Sequence, residues 1–525
     1  MSDCTDDSAG GNVRRGLDRR RFLQAALASA AALPVLGGID RGTGVEFARA
    51  FAAEGAAPAG TLTYGNAEPP TSNYWDPAAG FGLVDEQVAS LVHDTLVAFD
   101  DKGVMQPALA TSWKRLSPTT VSATIRTDAK FHDGTPVTAE DVKASFDRLG
   151  LGKLAQSMLV VEGLKVDVKS PTEIEIVSPK PFGVIENAMA FVKILPKANI
   201  DNPDNFKKGA LGSGPYKFVS YTGNDVTLEA NPDYWGGTPK IKTIIFRYIE
   251  DGQARINALL DGQVDILTRV SSEDIGRVKD NAKFHIVNQS PPAQIVGLVQ
   301  HNGPFKDVKL RQALAYAVDR EAIAKSIGGG LNPVGYSALP TSAPSYEPLK
   351  PDFAYDPEKA KALVAEVAPD GVDITMATTT LVPNQLEIDQ AIAASLEQVG
   401  FRPKVERLEV GAFRSSYNTY DLTLNTLASF NNDADFILGL YTGGAAEAIW
   451  HLNDPKIVEL VAAQRAASGD ERKAALTAAA QYLWDNQATL YLSDEKWHFI
   501  VADRVKDYAR APLVGEPLAA KASVN

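Results

Sequence analysis

An α/β fold arranged in more than one lobe is what this 525-residue sequence predicts. Three observations carry the prediction. Short alternating runs of strand length recur along most of the chain, from residue 61 to residue 502. Between them lie stretches whose apolar residues fall three and four apart, the spacing of a helix face. At 241–249, 251–260 and 262–266 a strand, a helix and a strand follow one another, which calls for crossover connections in a mixed sheet. A content of 45% hydrophobic and 22% charged residues is that of a globular chain able to bury a sizeable core.

The front end reads as an export signal. Asp18-Arg19-Arg20-Arg21-Phe22-Leu23-Gln24 precedes a moderately apolar, alanine-rich stretch at 25–36, the pattern of a twin-arginine signal. Residues 37–60 are rich in Gly and Ala and read as the signal's tail and a spacer, so 1–59 is set apart from the folded chain. The single cysteine, Cys4, lies upstream of the signal, so the exported chain has neither a disulfide nor thiol chemistry. The net charge of −13 argues against nucleic acid or an anionic membrane as partner. No later stretch approaches the ~20 apolar residues of a membrane span.

Taken in order, 61–64 is β-like, and 85–96 carries Val88, Leu91, Val92 and Leu96 on one helical face. A strand at 121–125 leads to a turn at Asp133-Gly134. Thr138-Ala139-Glu140-Asp141 then starts a helix: the hydroxyl can accept an orphan backbone N–H, and the acids suit the positive end of the dipole. Strands follow at 164–168, 173–177, 226–230 and 241–249, then the 251–260 helix, the return to strand at 262–266 and a strand at 295–299. A long amphipathic helix is expected at 308–324, with further helices at 360–367 and 388–399. Strands at 401–410 and 420–427, paired helices at 457–467 and 471–483, and closing strands at 489–492 and 499–502 complete the chain.

No catalytic constellation accompanies these elements. Gly212-Ser213-Gly214-Pro215 is the nearest approach to a nucleophile elbow, but its proline removes the N–H that an oxyanion would need. None of the six histidines has a metal-ligand spacing, and Gly328-Gly329-Gly330 lacks the Lys and Ser/Thr of a phosphate loop. Asp433 and Asp435 lie two apart beside Phe430, Asn431 and Asn432, in what reads as a loop; capping is their simplest role, and a secreted hydrolase is the weaker alternative. Tyr74, Trp75, Phe430, Tyr441 and Trp450 lie in or near polar, Asn-rich or Gly-rich segments. An aromatic there is either a packing anchor or a ligand platform. Trp235 and Trp113 read as structural.

An ordered set of short motifs resembles one family. Pro107-Ala108-Leu109-Ala110-Thr111-Ser112-Trp113 is followed by Phe131-His132-Asp133-Gly134-Thr135-Pro136-Val137-Thr138-Ala139-Glu140-Asp141-Val142, the most specific of the set. Gly212-Ser213-Gly214-Pro215-Tyr216 and Asn231-Pro232-Asp233-Tyr234-Trp235-Gly236-Gly237 come next. Pro304-Phe305-Lys306-Asp307, the run from Arg311 to Arg320 and Tyr355-Asp356-Pro357-Glu358-Lys359-Ala360 complete it. The set resembles the extracellular solute-binding proteins of family 5, the peptide, nickel and opine group of ABC importers. The resemblance implies a two-lobed periplasmic-binding-protein-like fold (type II, cluster C) with an extra small domain on the first lobe. On that pattern lobe 1 comprises 60–97, 185–302 and 499–525, the small domain 98–184, and lobe 2 303–498. It further implies a monomer without cofactor or metal that works in the periplasm or at the cell surface. Such a protein captures a solute by hinge closure and hands it to a membrane permease, after export through the twin-arginine translocon.

One departure bears on the ligand. Peptide-binding members carry a Gly-Asp-x-x-Asp-Pro-like segment whose first Asp meets the peptide amine. Here the segment is Ser429-Phe430-Asn431-Asn432-Asp433-Ala434-Asp435-Phe436, with Phe430 in that Asp's place. A buried ammonium without a carboxylate is costly. The expected ligand is therefore a non-peptide or modified-peptide solute, with an ordinary di- or oligopeptide as the alternative. Its expected contacts are Tyr74, Trp75, Phe430, Asn431, Asn432, Asp433, Tyr441 and Trp450.

Overall fold

Ile241, Ile244 and Phe246 point inward from one strand and build the middle of a seven-stranded sheet. In the computed structural model this sheet runs, in spatial order, Phe284–Gln289, Trp497–Ala502, Ile266–Leu267, Ala59–Asn66, Ile241–Tyr248, Asp225–Ala230 and Tyr216–Thr222. Ala59–Asn66 is parallel to both of its neighbours and the remaining pairs are antiparallel. The expected crossover is present: helix Gly252–Leu260 links two strands that flank Ala59–Asn66, and Asp251 caps it by accepting from the Ala254 N–H at 2.7 Å. The structure describes residues 57–525 apart from 70–74, 80–81, 153, 155, 158–162, 344–345, 431 and 512–518. The expected export signal, Tyr74 and Asn431 therefore lie outside the described residues.

A second, five-stranded sheet has the order Phe401–Arg407, Val372–Thr378, Leu422–Ala428, Ala293–Val299 and Leu490–Asp494. Its parallel pair Val372–Thr378 and Phe401–Arg407 is joined by helix Gln385–Gln398. Two sheets with crossover helices make the two-lobed, type II periplasmic-binding-protein-like fold. The chain passes between them twice, at 290–292 and at Glu495-Lys496. The crossings lie side by side, because the Glu495 N–H donates to the Ala293 carbonyl at 2.9 Å. The first crossing precedes the 302/303 division read from the sequence, since Ala293–Val299 pairs on both edges within the second sheet.

A four-stranded antiparallel sheet, Ala110–Ser117, Thr120–Ile125, Glu173–Val177 and Lys165–Ser170, stands apart from both. Helix Ala139–Gly150 packs on it and begins where Thr138 was expected to cap. The Thr138 N–H donates to Asp141 at 2.9 Å, and the Asp141 N–H returns to the Thr138 hydroxyl at 3.4 Å.

Three local readings are corrected. The single helix expected at 308–324 is two, Val308–Ala317 and Arg320–Ser326. Val318 is extended, and Asp319 caps the second helix by accepting from the Ala322 N–H at 2.9 Å. The strand expected to reach 410 ends at Arg407, and helix Val410–Ser416 follows. The segment read as a loop around 433–435 is a helix start: Asp433 caps Ala434–Leu440 through the Asp435 N–H at 2.8 Å.

Candidate functional site

Two of the sequence motifs, 212–216 and 231–237, meet at one buried carboxylate. Asp94 accepts from the Ser213 hydroxyl at 2.8 Å, the Tyr234 hydroxyl at 2.9 Å and the Trp235 indole N–H at 2.9 Å. Burial nevertheless pushes its carboxyl up to about 6, partly offset by the Trp235, Ser213 and Tyr234 hydrogen bonds. His132 docks on the same glycine turn, its backbone N–H donating to the Gly212 carbonyl at 2.8 Å. Gly212 is required there, because a Cβ would fall 2.0 Å from the Val92 carbonyl oxygen. These motifs hold the framework together, and Ser213 is a buried donor rather than a nucleophile.

The ligand-sized space lies where the two lobes face each other. A cavity of ≈ 530 Å³ takes Glu68, Leu83, Arg269 and Trp497 from the first lobe, and Phe413, Arg414, Asn425, Leu427, Phe430, Phe436 and Leu440 from the second. It is mainly apolar with a few charged groups, as a small-molecule site is. Glu68 follows the strand Ala59–Asn66, and Arg414 lies on helix Val410–Ser416; the two form an ion pair across the lobes. Arg269 pairs with Glu495 of the second crossing and also donates to the Thr426 hydroxyl at 3.2 Å. Arg269 has φ of 51°, in the left-handed region that costs a residue with a side chain energy. Against the burial that opposes its charge, Glu495 and then Glu68 hold its guanidinium above its ordinary value.

The residues expected to bind ligand separate into two groups. Phe430 lines the cavity and packs on Phe436 and Phe191, with ring centroids 5.4 and 6.3 Å away. Asn432, half-buried at φ 55°, and Asp433 follow it, but Asp433 is bound to Arg472 at 2.6 and 3.1 Å and faces structure rather than solvent. Tyr441 and Trp450 are core residues. They stack on each other at 4.3 Å and 16°, while their neighbours Leu440 and Ile449 line the cavity. Both stand at the ends of helices, Ala434–Leu440 and Gly443–Trp450, which turn the aromatic rings inward. Trp75 packs on Phe218 and Tyr221, at 4.6 and 5.6 Å, and is not among the cavity-lining residues.

Sequence reading missed Glu68, Arg269, Arg414, Glu495 and Trp497. Each stands near a strand or helix end far from the others in sequence, so no spacing links them. The one available signal was a set of charges beside apolar strands. Among the described residues no group of three or more His, Cys, Asp or Glu side chains is placed to hold a metal ion.

The family model for bacterial extracellular solute-binding proteins, family 5, matches residues 104–448. The chain belongs to this family. It is thus a solute-binding protein of the ABC-transporter class rather than an enzyme, and its place of work is periplasmic or extracellular. A putative ABC transporter peptide-binding protein of Brucella ovis is 32% identical over 332 residues, 58% of this chain and 61% of that protein. The match thus spans less than two thirds of that relative's length. The dipeptide-binding protein of Escherichia coli K12 is 26% identical over 452 residues, 78% of this chain and 84% of its own. The crystal structure of a dipeptide binding protein from Pseudoalteromonas sp. SM9913 in complex with Met-Leu superposes with a TM-score of 0.81 at 20% identity, covering 89% of this chain and 100% of that one. That likeness establishes the fold.

Proposed function

We propose that this family 5 protein is an ordinary short-peptide-binding component of an ABC importer. The observation that carries the reading is the ≈ 530 Å³ cavity walled by both lobes, apolar in its body and lined by charges of both signs. A peptide offers the matching surface: apolar side chains, backbone hydrogen-bonding groups and two charged ends. The expectation of a non-peptide or modified-peptide solute is corrected. It rested on the missing acid at Phe430, whereas relatives matched over 58% and 78% of this chain are named for peptides. Other carboxylates, Glu68 and Glu495, lie at the cleft.

On this reading a ligand that touches both lobes favours the closed form and so drives closure. A membrane permease receives the cargo, and the residues 18–36 route the chain through the twin-arginine translocon. The four-stranded sheet with helix Ala139–Gly150 is the extra small domain of the fold, and Phe430 and Asn432 belong to the ligand wall. Isothermal titration of the exported chain with di- and tripeptides, together with uptake of labelled dipeptide by cells lacking the gene, tests the reading. Binding in the first assay and loss of uptake in the second are expected; the absence of both would overturn it.

A further inference from the structure

The charged side chains around the cleft cavity form a neutral set of four. Glu68, Arg269 and Arg414 line it, and Glu495 lies against Arg269. Leaving one member of a buried ion pair without its partner is strongly unfavourable. A ligand of a single charge would do that here; a ligand with one charge of each sign would not. The two pairs are not equivalent. Arg269 and Glu495 sit at the chain crossing and are tied to Thr426. Glu68 and Arg414 come from opposite lobes, and their mutual contact is the only hydrogen bond either side chain makes among the described residues.

Two further donors face no partner. Arg269 Nε and Trp497 Nε1 are buried and find no acceptor among the described residues, and both side chains line the cavity. Unsatisfied buried donors are uncommon in native structures, and carbonyl oxygens of a bound peptide would satisfy these. The acids that follow strand Leu422–Ala428 are committed elsewhere: Asp433 to Arg472 at 2.6 Å, and Asp435 to Arg465 at 2.6 Å.

Resting on the peptide reading above, we propose that the ligand is a short apolar peptide with both termini free, its amine held by Glu68 and its carboxylate by Arg414. The ligand replaces the ion pair that spans the lobes. Both side chains are long enough to part by rotation while still lining the cavity, and charge neutrality is kept throughout. Arg269 and Trp497 donate to the peptide's carbonyl oxygens. Leu83, Phe413, Leu427 and Phe436 receive its side chains.

The test is isothermal titration of wild type, Glu68→Gln and Arg414→Gln with leucyl-leucine, its N-acetyl derivative and its C-terminal amide. In the wild type, blocking either end should weaken binding about 30-fold or more. Glu68→Gln should abolish the preference for the free amine while keeping that for the free carboxylate, and Arg414→Gln should do the reverse. The ratio between free and blocked peptide is the readout, so a general shift in lobe closure cancels. Circular dichroism and melting curves establish that the variants fold. Unchanged ratios in folded variants would overturn the assignment of the two readers. Tight binding of the doubly blocked peptide by the wild type would overturn the free-ended ligand. Failure of all three peptides to bind would remove the peptide reading and the proposal with it.

Discussion

Ser213 donates its hydroxyl to Asp94 across 2.8 Å, with both side chains buried. The glycines that flank Ser213 are dictated by close approach to the Val92 and Leu91 carbonyls, and the serine by the carboxylate. Ser213→Ala therefore leaves a buried acceptor with one fewer donor. A hydrogen bond to a charged group contributes about 1.5–3 kcal/mol. Urea unfolding should show a loss of that order, with leucyl-leucine affinity within twofold of wild type. A loss of affinity without a loss of stability would contradict the structural role.

Trp450 and Tyr441 stack 4.3 Å apart in the core, whereas Phe430 lines the cleft cavity. Truncating a buried aromatic costs about 3–5 kcal/mol through lost transfer energy and the cavity left behind. Trp450→Ala should lower the melting temperature sharply, and at temperatures where it stays folded its peptide affinity should be near that of wild type. Phe430→Leu should show the opposite balance, with a small change in stability and a several-fold change in affinity. Calorimetry and titration on the two variants separate the roles.

Much of the fold was legible because periodicity reports burial. The strands at 121–125, 173–177 and 241–249 appear as Thr120–Ile125, Glu173–Val177 and Ile241–Tyr248, since alternate apolar residues face one core. The failures between 408 and 450 share a cause. Helices Val410–Ser416, Ala434–Leu440 and Gly443–Trp450 span two turns or so and begin or run through Gly-, Ala- or Ser-rich sequence, so tertiary packing rather than propensity makes them helical. The polar and Gly-rich surroundings of Tyr441 and Trp450 in the sequence made them look like ligand platforms. The cleft itself is assembled from Glu68, Arg269, Arg414 and Trp497, which only the strand order brings together. Phe430 lies on the cavity wall because it comes two residues after the strand that ends there.

The Asp433–Arg472 pair is expected to matter for folding. Asp433 accepts two hydrogen bonds from the guanidinium and caps helix Ala434–Leu440, and both side chains are largely buried. Asp433→Asn keeps an acceptor for the cap but leaves Arg472 without its counter-charge, a change costing about 3 kcal/mol. The variant should unfold at lower denaturant. The double variant Asp433→Asn, Arg472→Met should recover part of the loss, because the stranded cation is gone. Denaturation midpoints of the two single variants and the double variant measure this coupling.

Asp389 supplies a pH dependence of definite sign. It lies on the buried face of helix Gln385–Gln398, and one of its oxygens has no partner among the described residues. Burial pushes its carboxyl up from the ordinary 3.8 to about 7, partly opposed by hydrogen bonding from its neighbours. Between those values the folded chain holds a proton that the unfolded chain releases. The group's contribution to stability is therefore fully present below pH 3.8 and is lost as pH rises through about 7. Asp389→Asn fixes the uncharged state at every pH. Above pH 7 the variant should be more stable than wild type, with a melting temperature higher by roughly 2 °C or more, and the two curves should converge toward pH 4. Chemical denaturation of both proteins from pH 4 to pH 8.5 measures the difference directly. A variant less stable than wild type at pH 8 would mean that Asp389 is ionised in the native protein and held by partners of its own.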